Sequence, residues 1–345
     1  NAAGYITSTM GGSWTVSGSW TNSSTSASWS FVAPITFTSA ASQTMTFGNL
    51  NPEFGGAVSF VPSSGAPTFT AAAFGLRSNG AVTINSGATF DVSASNLAEN
   101  WGSLVIGSSG TGILIARAAS VTIAGSVSIS SAASYITSTA AGAWIVSSAW
   151  TDLSTSASWS FVAGITFNSS ASQTMTFGNL GQEFGGNVTF SSGSSTVTFT
   201  MSTNPLRWAG TLTVQGGTGT TTLATANLGL TGGALAIGNA GVLTANASTV
   251  SVSSLAITGG TSGTLTLTTG AWTVSGNWDT SGAGSIFAAG TSTVTMSGAA
   301  TTVRILNLSN DFNNLTITGT VSLASAIGTA GLLTVTGTLD TTARS

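Results

Sequence analysis

The sequence predicts an all-β protein: a parallel β-solenoid with coils of about 20 residues, grouped into a super-repeat of about 130 residues. Three observations predict it. A long segment recurs almost unchanged. Short apolar-x-apolar triplets alternate with turn residues throughout. No 3.6-residue apolar stripe is sustained, and the abundant Gly and β-branched residues disfavour helix.

The repeat comes first. Tyr5–Phe60 lies on Tyr135–Phe190 with a shift of 130, no gaps and 41 identities in 56 positions. Ser24–Ala33 recurs as Ser154–Ala163, and Ser42–Leu50 as Ser172–Leu180. A third, decayed copy follows, with Trp272–Trp278 on Trp14–Trp20. The expected division is a first repeat over 1–134, a second over 135–262 and a partial, degenerate third over 263–345, within one continuous solenoid. Neither end reads as a cap, so the expectation is a piece of a longer array or a subunit whose ends dock on another.

Within each copy the triplets Ile35-Thr-Phe37, Met45-Thr-Phe47, Val58-Ser-Phe60, Val82-Thr-Ile84 and Val121-Thr-Ile123 carry the period-2 signal of strands. In the third copy Val274, Val294, Leu315 and Val335 fall 20, 21 and 20 apart, the spacing of one coil. Stacked coils pair every strand with the coil above and below, which satisfies the backbone without helices. Inward positions then form columns of Val, Ile, Leu and Phe, and outward positions carry Thr and Ser. The alternative is tandem β-sandwich domains, for which a unit of about 130 residues is a suitable size.

Composition excludes several functions. The 345 residues include no Cys, His or Lys, five Arg and eight acids. That removes the usual zinc, haem and iron–sulfur ligands, the Ser-His-Asp triad, the Cys nucleophile and the P-loop lysine. Five Arg cannot build a basic face, so no nucleic-acid partner is expected. No metal, cofactor or catalytic set is expected, and the chain reads as a non-enzyme. There is no run of eighteen apolar residues to make a transmembrane helix. The first residues lack a basic and an apolar signal region, so a signal peptide is expected to be absent or removed. With only 4% charged residues the chain suits self-contact at an extracellular or cell-surface location.

Trp272-Thr-Val-Ser-Gly-Asn-Trp278, Thr291-Ser-Thr-Val-Thr-Met296 and the Asp311–Gly319 stretch resemble secreted bacterial and archaeal β-solenoid repeat proteins. These are the autotransporter passengers, filamentous adhesins and related surface fibres. The resemblance implies a surface-exposed, often adhesive and mostly non-enzymatic protein.

Four groups of residues stand out. Trp14/Trp20, Trp144/Trp150 and Trp272/Trp278 are each six apart, which on an unbroken strand turns both rings to one side; Trp29 and Trp159 add a third ring. They read as core or interface aromatics, or as a strip that stacks on sugars. Glu53 with Arg77 and Glu183 with Arg207 are repeat equivalents, read as salt-bridge or contact residues. Glu53, Glu183 and Asp311 recur about six coils apart, roughly 30 Å, too far for paired acid–base catalysis. Asp91 and Glu99 read as turn or corner acids. The sequons at Asn22, Asn168, Asn187, Asn246, Asn307 and Asn314 are candidate glycosylation sites. The expected function is a structural subunit of an extracellular filament, sheath or surface fibre, with copies of itself as partner. The alternative is an adhesin or carbohydrate-binding shaft with surface glycans as partner.

Overall fold

In a computed structural model the described residues are 4–9, 11–94, 98–108, 110–258, 262–305 and 312–342. Among them are 37 strands and no helix. The strand pairings are parallel, and the chain winds as a β-solenoid. Tandem sandwiches, which need antiparallel pairs, are ruled out. Two compact units are present: Asn1–Ile165 with Gly178–Leu180, and Thr166–Phe177 with Gly181–Ser345.

In the first unit each turn contributes strands to three faces. Along one face Trp14 pairs with Ile35, and the ladder continues through Val58, Val82, Leu104 and Val127 to Trp150. A second face runs from Trp20–Thr21 through Gln43–Thr46, Thr68–Ala72, Thr89–Asp91, Ile113–Arg117 and Tyr135–Ser138 to Ser160–Phe161. The third takes the first halves of Arg77–Ile84 and Glu99–Ile106, then Val121–Ile123 and Ala143–Val146. Val58, Val82, Leu104 and Val127 are fully buried in one column. Each such side chain contributes about 1.5–3 kcal/mol on leaving water.

Six steps of the first ladder carry the chain from Trp14 to Trp150. One sequence repeat carries it from Trp14 only to Trp144. The repeat is therefore one face short of six turns. Trp144, the repeat equivalent of Trp14, stands on the third face, opposite Val121.

The second unit holds three inward columns. One runs Val188, Leu212, Leu235, Leu255, Trp278 and Val303. Another runs Leu206, Leu230, Val250, Trp272, Val294 and Leu315. The last runs Phe199, Leu223, Leu243, Leu265 and Phe287.

Coil length varies. A short coil brings Leu333 beside Leu315, and a longer one brings Phe69 beside Gln43. Of the four third-copy residues with near-even spacing, only Val294 and Leu315 pair directly. Val274 pairs with Met296, and Val335 with Ile317. Each is displaced by two positions, which leaves the inward face unchanged.

One corner is drawn tight by glycine. A Cβ on Gly80 would lie 2.4 Å from the Gly56 carbonyl, and one on Gly102 only 2.0 Å from Asn79 O. Backbones of successive coils touch there, so no side chain fits.

Candidate functional site

Trp14 and Trp20 do not share one strand. Trp14–Val16 and Trp20–Thr21 are separate strands on adjacent faces, divided by a Ser-Gly-Ser corner. A corner in the same place separates Trp144 from Trp150 and Trp272 from Trp278. The two residues of each pair therefore do not face one side of a single strand, as the alternative strip reading requires; the rings of Trp272 and Trp278 lie 6.3 Å apart at 70°. Trp144, Trp150, Trp272 and Trp278 are buried. The indole N–H groups of Trp144, Trp272 and Trp278 find no acceptor, so apolar packing outweighs a lost hydrogen bond. Trp20 is half-buried, its ring 5.7–6.2 Å from those of Phe31, Phe37 and Phe54. Trp14 alone of the six is exposed, at 41%.

Trp29 and Trp159 differ from these six. Both are half-buried at the end of an identical Ser-Thr-Ser-Ala-Ser-Trp loop. The loop is built from short hydroxyl turns: Ser24 N–H donates to Asn22 Oδ1, Ser26 N–H to Ser24 Oγ and Ser28 N–H to Ser26 Oγ. The second copy repeats it with Asp152 in place of Asn22. Such hydroxyl turns hold chain that has no ladder partner. In the first copy the Trp29 indole N–H donates to Glu53 O at 2.6 Å, and the ring stacks on Phe31 at 6.3 Å and 22°.

Glu53 is buried at the junction of these pieces. Its carboxylate accepts from Trp20 Nε1 at 3.1 Å, Asn22 Nδ2 at 2.9 Å and Gly48 N at 2.7 Å. Burial nevertheless pushes its pKa up to about 7. The Arg77 guanidinium does not close the direct ion pair read from the sequence. It donates to Asn49 Oδ1 and Leu50 O, and its charge favours the Glu53 carboxylate from there. Backbone bonds repeat in both copies: Glu53 and Phe54 N–H donate to Arg77 O, and Glu183 and Phe184 N–H to Arg207 O.

Glu99, expected at a corner, lies instead in a strand and is fully buried. Oε2 accepts from Leu76 N–H at 2.7 Å, and Oε1 has no partner. Burial pushes its pKa up to about 8. The register of the second copy puts Leu230 in the same place, opposite Leu206.

The sequons fare unequally. Asn22 is buried with both ends of its amide engaged, which leaves no nitrogen for a sugar. Asn168 and Asn187 are exposed; Asn246 and Asn314 are half-buried, the latter bonded to Thr293 Oγ1 and Leu332 N. Asn307 and Asp311 lie outside the described residues. Among the described residues no three His, Cys, Asp or Glu side chains converge for a metal.

A cavity of about 470 Å³ opens beside Trp29. Three successive coils wall it: the loop of Ser26, Trp29, Ser30 and Val32, the turn of Leu50, Asn51 and Pro52, and Asn79. Of these only Trp29 was singled out by sequence. The residues from the next two coils join it through tertiary stacking, and no local motif links them to Trp29.

Compared with known proteins, the chain matches no family model, no curated protein and no solved structure.

Proposed function

We propose that the chain is a structural subunit of an extracellular or cell-surface filament, built by association of copies with one another. The reading follows the resemblance to secreted β-solenoid surface fibres. The observation that carries it is a parallel solenoid whose surface has almost no charge: five Arg, eight acids and no Lys on 345 residues. Edge strands of soluble proteins are normally guarded by charge, Lys above all. Without it, strand edges are open to pairing and self-repulsion is weak. The sequence has no Cys, His or Lys, and among the described residues no three acidic side chains converge, so the reading assigns no catalysis.

Electron microscopy and fibre diffraction of the purified chain test it. The expected result is uniform filaments with an axial reflection at ~4.8 Å. Particles that stay monomeric at every concentration would overturn it. A second reading, a glycan-binding shaft, is favoured by the cavity beside Trp29.

A further inference from the structure

We propose that the cavity beside Trp29 is a binding site for a neutral saccharide, with a sugar ring laid against the Trp29 indole. This goes beyond the filament reading and holds whether or not the chain polymerises.

The walls define the ligand chemistry. Among the described residues no charged side chain lines the cavity. A phosphate, carboxylate or ammonium ligand would touch no charged group in that lining, and such groups require a direct partner when partly desolvated. Trp29, Val32 and Pro52 supply apolar surface, while Ser26, Ser30, Asn51 and Asn79 supply hydroxyl and amide groups. A wholly apolar ligand would leave those polar groups unpaired, which is unfavourable once they are buried. A sugar ring matches both sets, with C–H groups for the aromatic face and hydroxyls for the amides. The volume, about 470 Å³, falls in the range of small-molecule sites, about 300–1,000 Å³.

The platform is also preorganised. The indole N–H is already committed to Glu53 O, and Phe31 backs the ring. The serine turns hold the Trp29 lip. Arg77 holds the 49–52 turn that also lines the cavity, donating to Asn49 Oδ1 and Leu50 O. A fixed aromatic ring loses little entropy on binding.

The repeat supplies a natural comparison. Trp159 lies in the same loop sequence, but Gly181, Gln182 and Ala209 stand where the first copy has Asn51, Pro52 and Asn79. The proposed specificity therefore belongs to the first copy.

The test is an array of neutral, sialylated and sulfated glycans probed with the whole chain, then calorimetric titration with cellobiose, N,N′-diacetylchitobiose and maltose. The expected result is binding to at least one neutral glycan, weakened about tenfold or more by Trp29→Ala and by Asn79→Ala, and unchanged by Trp159→Ala. Asn79 is exposed, and its alanine variant copies Ala209, so loss of binding there does not reflect misfolding. Three results would overturn the proposal: no neutral glycan bound, binding only to charged glycans, or binding indifferent to both substitutions. A fourth would do so too: Trp29→Ala dissolving a self-associated state without affecting any sugar, which would make the cavity a contact between copies. Failure of filament formation leaves this result intact, and failure of sugar binding leaves the filament reading intact.

Discussion

The first and second copies of the repeat share 41 of 56 positions, yet the same side chain has different surroundings in each. Trp14 is 41% exposed and its equivalent Trp144 only 1%. Trp144 has Val121–Ile123 stacked beside it, and no described strand covers the corresponding side of Trp14. In a solenoid a residue is buried by its neighbours in adjacent coils, a full turn away along the chain, so local identity does not carry burial with it. A second contrast concerns one ring. The first copy has Ser78 with Trp101 one coil on, and the second has Trp208 with Gly232 one coil on. A Cβ on Gly232 would meet the Trp208 ring at 2.4 Å, so each pair of coils has room for one indole. The third contrast is Glu99 against Leu230.

The largest expected effect breaks the first contrast. Trp144→Ala removes a fully buried ring and should cost about 3–5 kcal/mol of stability. Trp14→Ala should cost under about 1 kcal/mol, as exposed positions usually do. Denaturant unfolding of both variants checks this, and equal losses would mean that Trp14 is covered in solution.

Glu99 should give the next largest effect, and it depends on pH. Its folded pKa of about 8 lies above the ordinary value of 4.5, and Glu53 at about 7 adds in the same direction. The folded state then holds protons that the unfolded chain releases. Stability from these groups is full below about 4.5 and is lost as pH rises through about 7–8. Glu99→Leu, copying Leu230, should raise stability at pH 8 by a few kcal/mol and flatten the slope. Melting temperature followed from pH 4 to pH 9 reads both, with an unchanged profile in the variant as the contrary result.

The ring exchange comes third. Trp101→Gly and Ser78→Trp should each destabilise the first unit, the one by a cavity and the other by overpacking. Together they reproduce the arrangement of the second copy and should recover part of the loss. A double-mutant cycle should show coupling of about 1–3 kcal/mol. Additive costs would mean that the two coils are packed independently.

The smallest effect is expected at Arg77. Its two hydrogen bonds, 3.2–3.3 Å long at a half-buried site, brace the 49–52 turn. Arg77→Gln should cost about 0.5–1.5 kcal/mol. Hydrogen exchange should show faster opening at Asn49 and Asn51, with the inward columns unaffected.

Much of the fold was legible in the chain because period-2 triplets tolerate error. A displacement of two positions, as between Val274 and Met296, keeps the inward face, so an approximate coil length still finds the right architecture. The corners were harder. Ser17-Gly18-Ser19 marks a bend, and reading through it merged two strands on adjacent faces into one. Glu99 was illegible as a buried acid because its carboxylate is held by Leu76, on the preceding coil, which local pattern does not join to it. The cavity beside Trp29 was half legible: one residue out of a set drawn from three coils.

The sequence by itself determined that this chain is an all-β repeat, poor in charge and without Cys, His or Lys, and favoured parallel coils over the sandwiches that the strand pairings exclude. Those properties follow from residue type and period, which every copy carries wherever it sits. Only the tertiary structure decided that six turns reach from Trp14 to Trp150, so that the sequence repeat, which reaches Trp144, falls one face short. It also decided which indoles are covered, which acid is buried, and which serines and asparagines meet at Trp29. The physical reason is that strand stacking relates residues one coil apart, and the length of each corner, which no local rule sets, determines which of them meet.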